Sequence, residues 1–240
     1  MKIVDAVWEK RNIGVETTEI TLEKDDSPEE IQSVLDACKA PYQVVKVPPQ
    51  MVFVNQLLTQ NGFFFIETIC KLKNNTMSIK QDFITERIKY QMQCHEMNEK
   101  ELKMLFSELD KGIFYTDRIA LDPYFSVERA NDRYKGWIKD AVEQGAVVLS
   151  VMYKADPICF IIYKQKDTRI DALVGGIYSE YSKGGLGLAA YSKGYEFISE
   201  NGGKEAYTAV STNNLASLKS NIAIGYQIYE FEYVFVKHNI

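Results

Sequence analysis

The sequence predicts an α/β protein built on a mixed sheet, and three observations carry that prediction. Short β-rich runs alternate with capped amphipathic segments from residue 27 onward. Two apolar runs past the middle flank a tight turn, and glycines at 184, 185 and 187 separate a strand-like run from a helix-like one.

In chain order, "DDSPEEIQSVLDACKA" places Ser27 as N-cap, Pro28 at the first helical position and Glu30 at the third, ahead of Ile31, Val34 and Leu35. That is a capping box leading into helical apolar spacing. "YQVVKV" reads as a strand stopped by Pro48 and Pro49, "QMVFVNQLLTQN" as a short helix ended by Gly62, and "FFFIETICKL" as a second strand. Lys73 to Asp82 is polar, lacks an apolar period and holds the turn formers Asn74, Asn75 and Ser78. It is the expected linker between an N-terminal α/β half-domain, residues 1–80, and a larger domain, residues 81–240. Next come a strand over "ERIKYQMQC", a helix from Asn98 to Leu109, and an irregular "KGIFYTDRIALDPYF". "SVERANDRYKGWIKDAVEQG" is a helix capped by Ser126 and closed by Gly145, with Ala130, Tyr134, Trp137, Ile138 and Ala141 at helical spacing. "AVVLSVMYK" and "ICFIIYKQK" form a hairpin around Ala155, Asp156 and Pro157, and "TRIDALVGGIYS" is a third strand. A helix from Leu188 to about Glu200, the strand "EAYTAVS", a helix from about Asn214 to Ile224 and the strand "YQIYEFEYVFV" complete the chain. The larger domain thus starts antiparallel and continues with parallel crossovers.

Composition narrows the function. With 240 residues and 46% apolar content the chain has ample material for a packed core. A formal net charge of -5 argues against nucleic-acid partners, which need clustered Lys and Arg. Asp5 and Glu9 interrupt the stretch where a signal peptide needs an apolar core, and no apolar run approaches a membrane span. No membrane partner and a cytoplasmic location are therefore expected. Four cysteines without CxxC spacing, and only His95 and His238, speak against a metal site and a disulfide scaffold. Cys94 and His95 are neighbours on an expected strand and so point to opposite faces. His238 falls near the C-terminal end, where chains usually fray.

Laid without a gap over Tyr207–Val236, the segment Val44–Lys73 pairs Val47 with Val210, Gly62 with Gly225, Phe63 with Tyr226 and Glu67 with Glu230. The identities are few, so coincidence is the competing reading. The shared order of strand, helix, glycine and strand favours a degenerate half-copy.

A glycine turn opening a helix suits phosphate, because free backbone N–H groups and the helix dipole both favour an anion. A Walker A loop is excluded, since Leu188 and Ala189 follow Gly187 where Lys and Ser or Thr belong. A Rossmann turn belongs on the first strand of a parallel series, and this one follows a hairpin. A tight turn with no ligand is the bland alternative. "IYSEYSKGGLG" resembles the pyrophosphate loop of the GNAT acyltransferase superfamily, with Ile177, Ser179 and Tyr181 in the preceding strand-end segment and Gly185 and Gly187 at the two glycines. Ser182 stands where that family usually has Arg or Gln. "NLASLKSNIAIGY" is similar to the second family motif through Asn214, Ser217, Gly225 and Tyr226, with Asn221 in place of its tyrosine. The two motifs cover about residues 85 to 240. Across nearly the whole chain, "VWEKRNIGVETTEI", "NGFFFIETI", "YTDRIALDPYF" and "ANDRYKGWI" resemble the TDP-fucosamine acetyltransferase type, which acetylates an amino-sugar nucleotide.

The resemblance implies a GNAT acyl-CoA fold preceded by a half-domain like a partial GNAT unit, acetyl-CoA as co-substrate, and a small-molecule amine as acceptor. It implies that the amides around Ser182, Lys183, Gly184, Gly185, Leu186, Gly187 and Leu188 bind the pyrophosphate. The strand edge through Ile177 and Tyr178 would pair with pantetheine amides, and Asn214, Ser217 and Asn221 would line the same cofactor. Direct transfer needs a base for the ammonium and an acid for the thiolate. Asn221 donates a hydrogen bond but is no acid: either the thiolate leaves unprotonated with its charge stabilised, or Tyr226 or Tyr178 acts as acid, and the candidates for the base are Asp171, Glu180 or a water chain. Arg118, Asp122 and Tyr124 fall where the family shapes its acceptor pocket, an Asp pairing an ammonium and an Arg a nucleotide phosphate. Loss of the motif tyrosine also admits a catalytically inactive acyl-CoA-binding or protein-interaction module. A C-terminal strand at a sheet edge is available for a homodimer, although nothing in the sequence requires one.

Overall fold

The computed structural model describes residues 1–75 and 82–239. The N-terminal half runs β1 (Lys2–Asp5), α1 (Val7–Ile13), β2 (Thr17–Thr21), α2 (Pro28–Ala37), β3 (Tyr42–Val47), α3 (Val52–Gln60) and β4 (Phe64–Asn74). Then follow α4 (Phe83–Lys89), β5 (Met92–Glu96), α5 (Glu99–Leu109), α6 (Arg118–Leu121) and α7 (Val127–Glu143). The chain continues through β6 (Val147–Tyr153), β7 (Asp156–Lys166), β8 (Arg169–Ile177), α8 (Gly187–Glu200), β9 (Glu205–Ser211), α9 (Leu215–Ala223) and β10 (Gln227–His238). The mixed α/β class holds, and the boundary placed near residue 80 lies outside the described residues.

Among the described residues ten strands join one sheet in the order β1-β2-β3-β10-β4-β9-β8-β7-β6-β5. The central strand is β10, antiparallel to β3 on one side and to β4 on the other. That corrects its expected place at an edge, and with it the argument for a homodimer through that strand; the edges are β1 and β5. Parallel pairing is confined to β2 with β3 and β8 with β9, so the expected series of parallel crossovers is a single one in each half.

The internal echo is structural. The ungapped overlay that pairs Val47 with Val210 carries Tyr42 onto Glu205, Val52 onto Leu215 and Phe64 onto Gln227, the first residues of matching strands and helices. Gly62 and Gly225 both take a positive φ, 82° and 99°, which lets the chain leave each helix in a left-handed turn. Pairing follows the same exchange: Tyr233↔Val47 between β10 and β3 becomes Cys70↔Val210 between β4 and β9, and Ile69↔Glu232 maps onto itself. An approximate two-fold axis therefore passes through the β4–β10 ladder.

Local chemistry explains two departures from expectation. Asp82 accepts hydrogen bonds from the Ile84 and Thr85 amides, so Phe83–Lys89 is helix, and of the expected strand only Met92 to Cys94 lies in β5, Met92–Glu96. Asp117 caps α6 through the Ala120 amide inside the segment read as irregular. On β5, Cys94 packs toward the core and burial pushes its thiol up to about 12, while His95 bonds Glu101 at 2.7 Å. His238 does not fray: it lies in β10, stacks on Tyr124 and bonds Asp122 at 2.8 Å.

The faces of the sheet carry different layers. Ile31, Leu35, Val54 and Leu58 of α2 and α3, and Ala190, Tyr195 and Ile198 of α8, close cores on one side. Ile13, Ile119, Ala130, Leu105 and Ile138 from α1, α6, α7 and α5 close the other. Within this second layer the fully buried Glu9 accepts from Arg118 at 2.8 Å and from Arg133 at 2.8–2.9 Å. Arg118 also pairs with Glu19 of β2, and Arg133 with Asp117 at 3.0 Å. One carboxylate thus ties α1 to α6 and α7. Removing it leaves each buried guanidinium with one carboxylate partner, Glu19 for Arg118 and Asp117 for Arg133, so Glu9→Ala is expected to cost about 2–3 kcal/mol in denaturant unfolding. A loss under about 1 kcal/mol would show that the cluster is not a structural tie.

Candidate functional site

The parallel pair β8–β9 holds for three residue pairs, Arg169↔Glu205, Ile170↔Ala206 and Asp171↔Tyr207. There the Thr208 hydroxyl donates to the Ala172 carbonyl at 3.0 Å and the strands diverge. Beyond this point β8 keeps β7 on its other edge, and Ala172 to Ile177 stay half-buried. The matching pair in the other half does not open: β2 and β3 continue through Ile20↔Val45 and Thr21↔Lys46, and the Leu22 amide donates to the Lys46 carbonyl at 2.9 Å.

A cleft of about 450 Å³ fills the opening. One wall is Ala172–Gly175 of β8 and Thr208–Ser211 of β9, with Tyr191 and Tyr195 of α8 and Asn214, Ser217 and Asn221 of α9. The far end reaches through the sheet to Glu67 of β4, Asp117, Arg118, and Arg133, Tyr134 and Trp137 of α7. Gly175 lets the backbone come close, since a Cβ there would lie 3.0 Å from the Tyr191 ring.

The glycine turn leads into α8. The Gly184 amide donates to the Tyr181 carbonyl and the Ala190 amide to the Leu186 carbonyl; the amides of Gly185 to Ala189 have no acceptor among the described residues. No side chain caps α8. Gly185 has φ 69°, and a Cβ there would meet nothing within 4 Å, so the space beside this residue is open. The counterpart helix α2 is closed: Ser27 and Glu30 occupy each other's amides in a capping box. The open strand fork, the uncapped turn and the α9 amides and hydroxyls occur together in the C-terminal half alone, and they fit an extended diphosphate-tailed thioester.

The sequence-derived residues divide. Ile177 ends β8, and Ser182, Lys183, Gly184, Gly185, Leu186, Gly187 and Leu188 form the turn into α8, with the Ser182 hydroxyl donating to the Ser179 carbonyl; none of them is among the residues lining the cleft. Asn214 caps α9 by accepting from the Ser217 amide, and Asn221 donates to the Ser217 carbonyl at 2.9 Å, so both face the cleft with polar groups already engaged. Tyr226 does not reach the cleft: it is 2% exposed, packed edge-on against Tyr195 beneath the sheet. Tyr178 is buried in the core under α5 and α7. Asp171 pairs with Arg169 on the surface at the root of the fork, and Glu180 is exposed in the turn. Arg118 lines the cleft, bound to Glu9 and Glu19; Asp122 is buried against His238, and Tyr124 covers that histidine.

Sequence reading missed the residues that the fold brings from afar. Tyr191, on α8, has its phenol driven well above its ordinary range by burial, so it stays a donor. Glu67 is 3% exposed, with burial pushing its carboxyl up. A β-bulge at Ile66, where Val234↔Glu67 is followed by Phe235↔Phe65, resets the strand beside it. The one available signal was the alignment of Glu67 with Glu230 in the internal echo. Glu19 behaves oppositely: burial alone would raise its carboxyl, and the charges of Arg118 and Lys46 outweigh that and hold it at about 2.

No protein-family model matches the sequence, and comparison with curated proteins finds no match. Solved structures do match. A conserved protein of unknown function from Staphylococcus epidermidis aligns with TM-score 0.64 at 11% identity, over 94% of this chain and 85% of that one. A GCN5-related N-acetyltransferase from Sphaerobacter thermophilus aligns with TM-score 0.59 at 9% identity, over 99% and 75%. The chain has the GNAT fold. A tandem GNAT protein from the clavulanic acid biosynthesis pathway, solved without acetyl-CoA, aligns with TM-score 0.54 at 10% identity over 94% and 76%, in keeping with the two halves seen here.

Two outcomes test this site. Gly185→Asp adds bulk and negative charge where the free amides converge; it is expected to weaken acetyl-CoA binding at least tenfold in calorimetry, with unaltered affinity counting against the turn. Because the folded Glu19 carboxyl lies below its ordinary 4.5, its stabilisation is present above pH 4.5 and lost as pH falls toward 2. Glu19→Gln should flatten the acid limb of unfolding free energy in that window, by on the order of 3 kcal/mol.

Proposed function

We propose that the protein is an acetyl-CoA-dependent N-acetyltransferase that transfers an acetyl group directly to a small-molecule amine. The single observation that carries this is the fork between β8 and β9, open over Ala172–Ile177 while its counterpart β2–β3 is zipped shut. Supporting it, the uncapped glycine turn follows the end of β8, the strand that forms one side of the fork, and Asn214, Ser217 and Asn221 line the cleft wall.

When bound, acetyl-CoA supplies the activated thioester. The chain's own groups do the rest. Free amides of Gly185 to Ala189 hold the diphosphate, and the unpaired edge of β8 bonds the amide-bearing arm as an added strand would. Asn221, fixed by Ser217, orients that arm without transferring a proton. Tyr191, beside Gly175 on the cleft wall, donates a hydrogen bond to the leaving sulfur, the part that the buried Tyr226 and Tyr178 are not placed to take.

For the acceptor, the expected pairing of Arg118 with a nucleotide phosphate meets a competitor, because Glu9 and Glu19 already neutralise it. A nucleotide-linked amino sugar is thus the less supported member of the amine class. Asn221 in the place of the motif tyrosine favours a second reading, an acyl-CoA-binding module without turnover. Calorimetry with acetyl-CoA, followed by CoA thiol release with amino-sugar nucleotides, amino acids and polyamines, separates them. Binding with thiol release on at least one amine is expected. Binding with no release on any supports the module, and absence of binding overturns both.

A further inference from the structure

The charged end of the cleft has one unbalanced member. Lys71 pairs with Glu232 at 2.7 Å, Lys46 with Glu19 at 2.8 Å and Arg133 with Asp117 at 3.0 Å, and Arg118 is shared by two carboxylates. Glu67 alone among the charged side chains lining the cleft has no ion-pair partner among the described residues, and its Oε2 is buried without a hydrogen-bond partner. An unpartnered carboxyl oxygen in such a place is costly, and the strand that carries it has other residues to bury. Its neighbours from every side are known: the Ser211 hydroxyl from β9, Arg118 from α6, Asp117 before it, and Arg133 and Tyr134 from α7. The cations among them are spent on other carboxylates. What the site lacks is a positive charge small enough to fit between sheet and α7.

We propose that Glu67 receives the acceptor's ammonium group and removes its proton, and that the acceptor is a compact amine carrying no phosphate. This rests on the acetyltransferase reading above. The substrate class follows from the same ledger of charges: every lining cation is already matched by a protein carboxylate, so a phosphate-bearing acceptor finds no free counter-ion, whereas an ammonium finds Glu67. Rings of Tyr134 and Trp137 flank the space and suit the alkyl body of such an amine. The step balances. One ammonium proton passes to the Glu67 carboxylate, the nitrogen lone pair forms the C–N bond to the acetyl carbon, the C–S bond breaks, and the second nitrogen proton ends on the CoA thiolate. Glu67 then returns its proton to solvent. The base comes from the N-terminal half and the thioester cleft from the C-terminal half, so neither half holds a complete reaction centre.

Glu67→Gln keeps the shape and removes the base. Its unfolding temperature should equal or exceed that of the parent, and the gap should widen as pH rises, because a carboxyl raised on folding costs stability once ionised. Acetyl-CoA affinity should be unchanged, kcat should fall about 100-fold or more, and the rise of activity with pH should vanish. Small primary amines should be acetylated in preference to nucleotide-linked ones. Retained kcat and pH profile in Glu67→Gln overturn the proposal, as does preference for a nucleotide-linked acceptor. Acetyl-CoA binding without turnover on any amine overturns it while leaving the cofactor cleft in place. Failure of the parent to bind acetyl-CoA overturns the reading beneath it.

Discussion

The antiparallel ladder between β4 and β10 is the constraint on which the rest depends. Nine residue pairs, from Gln227↔Lys73 to Val236↔Phe64, join the last strand of one half to the last strand of the other. Because Ile69 faces Glu232 at its centre, each half presents the same edge to its partner, as an isologous dimer interface would. Covalent linkage makes that contact permanent. The two halves nonetheless differ: one strand fork is zipped and its helix capped by Ser27, the other is open and uncapped.

Divergence assigns work. The N-terminal half has filled its own fork with backbone hydrogen bonds, which removes it as a cofactor site and turns it into a rigid wall. From that wall Glu67 projects across the seam, while Glu9 and Glu19 hold Arg118 and Arg133 in position from the same side. A buried ion cluster of this kind contributes little net stability against an apolar alternative, so its value is better sought in the shape and charge it imposes on the cleft.

Much of the fold was legible because its signals are local. Ser27 with Glu30, Ser126 and Gly62 each fix an element boundary within a few residues, and the hairpin turn read at Ala155, Asp156 and Pro157 falls at Lys154 and Ala155, with Asp156 already in β7. Asp82 misled through its neighbours, since "ERIKYQMQC" satisfies a strand pattern and the cap lies just before it. The position of β10 was not legible, for nothing within the strand says that two separate segments claim its two edges. The site followed the same division. The glycine turn and Asn214 announce themselves by spacing, whereas Glu67, Tyr191 and Arg133 become neighbours only when the sheet closes. Tyr226 matched its motif position yet packs into the core, because it lies in the turn between α9 and β10, where its amide donates to the Asn221 carbonyl.

Strand order has a kinetic side. β3 and β4 are consecutive strands joined by α3, yet they never touch, because β10 occupies the space between them. The N-terminal half can form its helices early, but its sheet must wait for a strand encoded more than 150 residues later. Such long-range closure carries a large loop entropy and slows the rate-limiting step. Until it happens, β3 and β4 expose open edges that invite pairing with other chains. Synthesis on the ribosome therefore leaves everything before β10 unable to settle, and assembly of both halves becomes one cooperative event rather than two successive ones.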